Sequence, residues 1–97
     1  METELRNNCQ EISLVLSKMN REDEVYSFLR DLLSSSEIQE FSHRFRVARM
    51  LQEGVSYKKI EESTGMSSTT IARISKFLKG ENHGYARALV LLQEDSL

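Results

Sequence analysis

Apolar residues recur along this chain at helical spacing, and nowhere with the strict alternation of a half-buried strand. The first run, Leu5, Cys9, Ile12, Leu16 and Met19, steps by four, three, four and three residues. It predicts a helix over about 4–19 whose apolar seam seeks a partner helix. Cys9 falls on that stripe and reads as a buried thiol. A second run, Val25, Phe28, Leu29, Leu32 and Leu33, predicts a helix over about 21–33, with Asn20 as its cap and Asp23 in its first turn. Ser34 and Glu37 have capping-box spacing and open a third helix that reaches about Glu53. Ile38, Phe41, Phe45, Ala48 and Leu51 lie along one side of it, and Gly54 ends it. Ser56 and Ser67 are the caps of a fourth and a fifth helix, Gly80 closes the fifth, and a short sixth spans about Tyr85–Gln93. With no proline in the chain, the pattern predicts an all-α fold of about six helices.

The stretch 56–80, SYKKIEESTGMSSTTIARISKFLKG, reads as two short helices joined by a tight turn at Gly65, a helix-turn-helix. Such a bend needs a residue of positive φ, which glycine adopts without a Cβ clash. Ile60, Met66, Ile71, Ile74 and Leu78 form the small core of the pair, the last three on one helical face. Ser68, Thr69, Ala72, Arg73 and Lys76 are left on other faces. Small residues at the start of the second helix let its backbone approach base edges, while long basic side chains reach phosphates or guanine.

Charge supports that reading only when taken by segment. The whole chain has a net charge of −2. Residues 1–40 carry four basic and nine acidic side chains, residues 41–80 eight and three, and residues 81–97 one and three. The helix-turn-helix thus lies inside the only basic block, and local field decides where a polyanion docks. The 97 residues read as a single domain, with dimerisation helices over 1–53, the helix-turn-helix over 56–80 and a short C-terminal helix within 81–97. A chain this short buries a modest fraction of its surface alone, so the wide apolar faces of the first two helices predict a homodimer. No apolar run approaches 18 residues and the N-terminus lacks a signal-peptide core, so no membrane is expected and the cytoplasm is the default location. One cysteine excludes an intrachain disulfide framework.

Two motifs, RFRVARMLQEG at 44–54 and GMSSTTIARISKFLKG at 65–80, together with the order of elements around them, resemble the Trp repressor superfamily. The stretch YKKIEESTGMSSTTIARISKFL and the later Gly84-Tyr85 are similar to its Trp-repressor-like branch of YerC/YecD type. The resemblance covers about Val25 to Leu92 and implies an intertwined all-helical homodimer that binds operator DNA. It also implies roles. Lys58 approaches a guanine, Ser68, Thr69 and Ala72 face bases, and Lys79 faces a phosphate. An effector pocket would be bordered by Ser34, Arg44, Thr70 and Arg73, the last meeting a ligand carboxylate. Two departures bear on that pocket: Ile74 stands where the family has a glycine that admits the indole ring, and Phe77 replaces a small serine. Both are large and apolar, so tryptophan is not the expected effector: either they fill the cavity, or Arg44 and Arg73 still attract a smaller carboxylate or phosphate, which leaves any effector open.

Enzymatic chemistry finds no support. His43 and His83 lie 40 residues apart, with no cysteine or carboxylate at metal-ligand spacing. No phosphate-binding glycine loop or nucleophile elbow is present. The expectation is therefore a non-enzymatic, cofactor-free transcriptional regulator, a repressor that binds a palindromic operator in double-stranded DNA as a dimer. Ser67, Ser68, Thr69, Thr70, Ala72 and Arg73 would read bases, while Tyr57, Lys58, Lys59, Lys76 and Lys79 would hold the backbone. The competing reading is a dimeric protein-interaction module that keeps the helix-turn-helix shape, to which Glu61 and Glu62 on the first helix of the motif give weight.

Overall fold

The computed structural model describes residues 1–96 and contains six helices among them. These are α1 Glu2–Lys18, α2 Glu22–Leu32, α3 Ser35–Gln52, α4 Tyr57–Thr64, α5 Ser68–Lys79 and α6 Gly84–Ser96. They belong to two compact units, one of Met1–Ile38 and one that begins at Gln39. No helix of the described residues is long and apolar enough to cross a membrane.

The first unit has no buried residue in α1 or α2. Leu5, Ile12, Leu14 and Val15 of α1 are all exposed, and Tyr26 and Leu32 of α2 are too. Cys9 is exposed as well, contrary to expectation. Along the heptad seam Leu5, Cys9 and Ile12 are exposed, while Leu16 and Met19 are half-buried. The cap of α2 also differs: Arg21 occupies the position, with no side-chain capping bond, and pairs with Asp23 at 2.9 Å instead of leaving the role to Asn20. Three acidic residues, Glu22, Asp23 and Glu24, fill the first turn and suit the positive end of the helix dipole without a cap. The capping box at α3 forms as expected. The Glu37 N–H donates to the Ser34 hydroxyl at 3.2 Å, and the Ser34 N–H donates to Glu37 Oε1 at 2.9 Å.

In the second unit the core is Val47, Ala48, Ile60, Ile71 and Ile74, with Met50, Leu51, Val55, Met66 and Tyr85 packed against it. Fully burying a side chain such as Ile60 or Ile71 contributes about 1.5–3 kcal/mol. Val47 was not among the expected core positions, and Phe41, which was, is exposed. The stripe that α3 buries here keeps the expected Ala48 and Leu51, adds Val47, and leaves Phe41 outside. The end of α3 is set by Gly54 at φ +84°. The Val55 N–H bonds to the Met50 carbonyl and the Gly54 N–H to the Leu51 carbonyl, both at 3.0 Å, the paired bonds of a Schellman motif. That turn brings Val55 onto the core and starts α4 only five residues after α3. Helix α6 runs past the expected Gln93.

Candidate nucleic-acid interface

Helices α4 and α5 are separated by three residues, Gly65, Met66 and Ser67. The Ser56 hydroxyl opens α4 by accepting from the Lys59 N–H at 3.3 Å. Gly65 closes it in the left-handed conformation at φ +76°, its N–H bonded to the Glu61 carbonyl at 2.9 Å. An L-residue with a Cβ is strained at that φ, so the glycine is required by backbone conformation, not by crowding. Met66 packs on the core, and Ser67 caps α5. The α4–α5 pair is thus a helix-turn-helix whose core is Ile60, Ile71 and Ile74, with Met66 beside it and Leu78 half-buried.

Burial of Ile71, Ile74 and Ser75 leaves the opposite face of α5 open. Ser68, Thr69, Ala72, Arg73, Lys76 and Lys79 are all exposed there, as are Tyr57, Lys58 and Lys59 at the start of α4. Among the described residues the ion pairs are Arg21–Asp23 and Arg44–Glu40. Among these described residues Arg73, Lys58, Lys59, Lys76 and Lys79 therefore have no acidic partner, and neither do Arg46 and Arg49 on α3. Glu61 and Glu62 are exposed on α4 and weaken the positive field locally.

Ser67 and Thr70 differ from the other small residues of this run. The Ser67 hydroxyl accepts from the Thr70 N–H at 3.2 Å and donates to Thr70 Oγ1 at 3.1 Å. Both hydroxyls are engaged in the cap and Thr70 is half-buried, so the groups free to meet a ligand are those of Ser68, Thr69 and Arg73. The remaining residues of the expected effector pocket are in varied surroundings. Ser34 belongs to the first unit, where it caps α3. Its backbone N–H, and to a lesser degree its hydroxyl, hold the Glu37 carboxyl below the ordinary glutamate range. Arg44 pairs with Glu40 one turn back at 2.9 Å, an exposed pair of the kind that contributes little. Ile74 is 3% exposed and part of the core. Phe77 is 58% exposed and fills no cavity within the chain. Three residues after Ile74 it is rotated by about 60° around the helix, past the edge of the buried stripe.

One residue of the turn carried no expectation. The Thr64 hydroxyl donates to the Ile60 carbonyl at 2.6 Å and accepts from the Met66 N–H at 3.2 Å. A hydroxyl residue immediately before a turn glycine is the signal that could have found it, since such side chains bond backbone two residues on. Among the described residues no group of three His, Cys, Asp or Glu side chains could hold a metal ion.

Comparison with known proteins gives a concordant result. The family model described as Trp repressor protein matches residues 7–93. The uncharacterised protein YerC of Bacillus subtilis (strain 168) is 44% identical over 72 residues, which are 74% of this chain and 69% of that protein. A TrpR-like protein from Eubacterium eligens ATCC 27750 superposes with a TM-score of 0.80 at 34% identity, covering 90% of each chain. A candidate Trp repressor from Staphylococcus aureus superposes with a TM-score of 0.82 at 32% identity, covering 94% of this chain and 92% of that one.

Proposed function

Since the chain belongs to the Trp repressor family, we propose that it is a sequence-specific DNA-binding transcriptional regulator, a repressor that grips a palindromic operator as a homodimer. The observation that carries this reading is the open face of α5. Its first two turns expose Ser68, Thr69, Ala72 and Arg73, while cations without acidic partners stand on both helices of the motif. Small hydroxyl residues beside an arginine suit base edges, and the lysines suit phosphates. Lys58 and Arg73 read or flank bases in this scheme, and Tyr57, Lys59, Lys76 and Lys79 hold the backbone.

The homodimer supplies what the chain lacks by itself. Most helical stability in proteins comes from packing an amphipathic face, and the 17-residue α1 has no buried residue. Its apolar seam, with those of α2, becomes the interface, and two-fold symmetry presents two copies of α5 to half-sites about 34 Å apart. Such a regulator works in the cytoplasm, where the DNA of a bacterial cell lies.

L-Tryptophan is not its effector in this reading. Ile74 packs its branched side chain among Val47, Ala48, Ile60 and Ile71, so the inner face of α5 is already occupied by the protein. Arg44 and Arg73 then serve helix packing and DNA instead of a ligand carboxylate.

Selection of bound duplexes from a random pool by the purified protein tests the function. The expected result is an enriched palindrome whose affinity falls steeply with salt, because phosphate contacts release counterions. No enrichment, together with no salt-dependent binding, overturns it in favour of a protein-interaction module.

A further inference from the structure

The two helices of the motif can read a base sequence only if the angle between them is held. A tilt of about 10° at the turn moves the Arg73 backbone, roughly 9 Å along α5 at about 1.5 Å per residue, by about 1.6 Å. A base contact of about 2.9 Å stretched by that amount is no longer a hydrogen bond. Backbone bonds within α4 and α5 do not constrain this angle, because none of them crosses the turn. Three groups act at the turn itself: Gly65, through its backbone conformation; the Met66 side chain, on the core; and the Thr64 hydroxyl.

We propose that Thr64 is a positioning residue that sets the orientation of α5 for base reading; this rests on the DNA-binding function proposed above. The hydroxyl has one proton and two lone pairs, and here the proton and a lone pair are both used. The proton goes to the carbonyl of Ile60, whose side chain is fully buried, at 2.6 Å. The lone pair takes the N–H of Met66, beyond the glycine, at 3.2 Å. One half-buried side chain thereby ties the core-anchored last turn of α4 to the residue that leads into the Ser67 cap of α5. Its neighbour Ser63 makes the contrast. The Ser63 hydroxyl points back to the Lys59 carbonyl at 3.0 Å and to the Ile60 carbonyl at 3.4 Å, and receives nothing from the turn. Two adjacent hydroxyls therefore bond the same helix, and only that of Thr64 reaches across its end.

The test compares the full-length protein with Thr64→Val, Thr64→Ser and Ser63→Ala. Each is titrated with the duplex enriched by the unaltered protein and with a random duplex of the same length. Valine keeps the shape of threonine and loses both bonds. Its affinity for the enriched duplex should fall at least tenfold and for the random duplex less than threefold. Phosphate contacts tolerate a tilted helix, whereas base contacts do not. Serine restores the hydroxyl and should stay within threefold of the unaltered protein on both duplexes, as should Ser63→Ala. If circular dichroism shows the valine variant unfolded, Thr64→Ala and Thr64→Ser are compared by the same criteria. Equal loss on both duplexes, retention of the enriched-duplex affinity without the hydroxyl, or failure of serine to rescue overturns the role of Thr64 alone. Absence of duplex binding by the unaltered protein overturns the proposed function, and this role with it.

Discussion

Ser67 and Thr70 complete each other at the entrance to α5: the serine oxygen takes the threonine N–H at 3.2 Å and gives its own proton to the threonine hydroxyl at 3.1 Å. Residues that look like a uniform run of four small hydroxyls therefore divide into an inner pair that builds the helix start and an outer pair, Ser68 and Thr69, that is free. Ser67→Ala should lower stability by about 1 kcal/mol through loss of the cap. For a domain of this size that is a fall in Tm of about 4–8 °C. Thr69→Ala should stay within about 0.5 kcal/mol of the unaltered protein. Thermal unfolding by circular dichroism distinguishes them, and equal melting points for the two variants would contradict the division.

DNA contacts separate by their dependence on sequence and salt. Arg73→Ala and Lys58→Ala should each weaken binding to the enriched duplex by about 1–3 kcal/mol and relax discrimination at one position. Lys79→Ala should weaken binding to all duplexes alike and reduce the salt slope by about 1. If all three variants lose equally on specific and random DNA, the assigned reading roles are wrong.

The exposed part of the α1 seam, Leu5, Cys9 and Ile12, makes self-association the next expectation. Gel filtration with light scattering should give a mass near twice the 11.2 kDa of the chain at low micromolar concentration. Ile12→Glu, which places a charge on that seam, should shift the mass toward one chain. A single-chain mass for the unaltered protein rules the dimer out.

Ile74 links stability to effector selectivity. Its side chain is 3% exposed, so Ile74→Ala should cost about 2–5 kcal/mol in unfolding free energy. Titration calorimetry of the unaltered protein with L-tryptophan should show no heat of binding, and the amino acid should leave duplex affinity unchanged. Micromolar binding would restore an amino-acid-sensing role.

Acid should loosen the start of α3 in a defined order. The Glu37 carboxyl is held below its ordinary range of about 4.3 by the Ser34 backbone N–H and hydroxyl. Because the folded value is depressed, the stabilisation is fully present above the unfolded pKa and is lost as pH falls through the folded one. NMR titration should show Glu37 below the ordinary glutamate range, and Ser34→Ala should return it toward the ordinary value. An unchanged Glu37 titration in that variant would show the capping box to be absent in solution.

Local chemistry was legible in the residues alone. The caps Ser34, Ser56 and Ser67, the left-handed glycines 54 and 65, and the apolar set Ile60, Ile71 and Ile74 follow from interactions between positions three or four apart. Such contacts depend on little beyond helix geometry, so six helices and a helix-turn-helix could be read directly. Asn20 shows the limit even there, because dipole and ion-pair effects around Arg21 and Asp23 replaced a plausible cap.

Only the tertiary structure decided which faces are covered. Periodicity marks an apolar stripe but not the neighbour that buries it. Val47 is enclosed while Phe41 is exposed, and Phe77 lies beyond the edge of the stripe that holds Ile74. Cys9 lies on a good heptad seam, yet it is exposed. Nor could a list of hydroxyl residues say that Thr70 turns toward Ser67, or that Thr64 reaches over Gly65 to Met66. Those bonds depend on where the chain reverses and on which donors the reversal leaves unpaired, and a turn three residues long sets both.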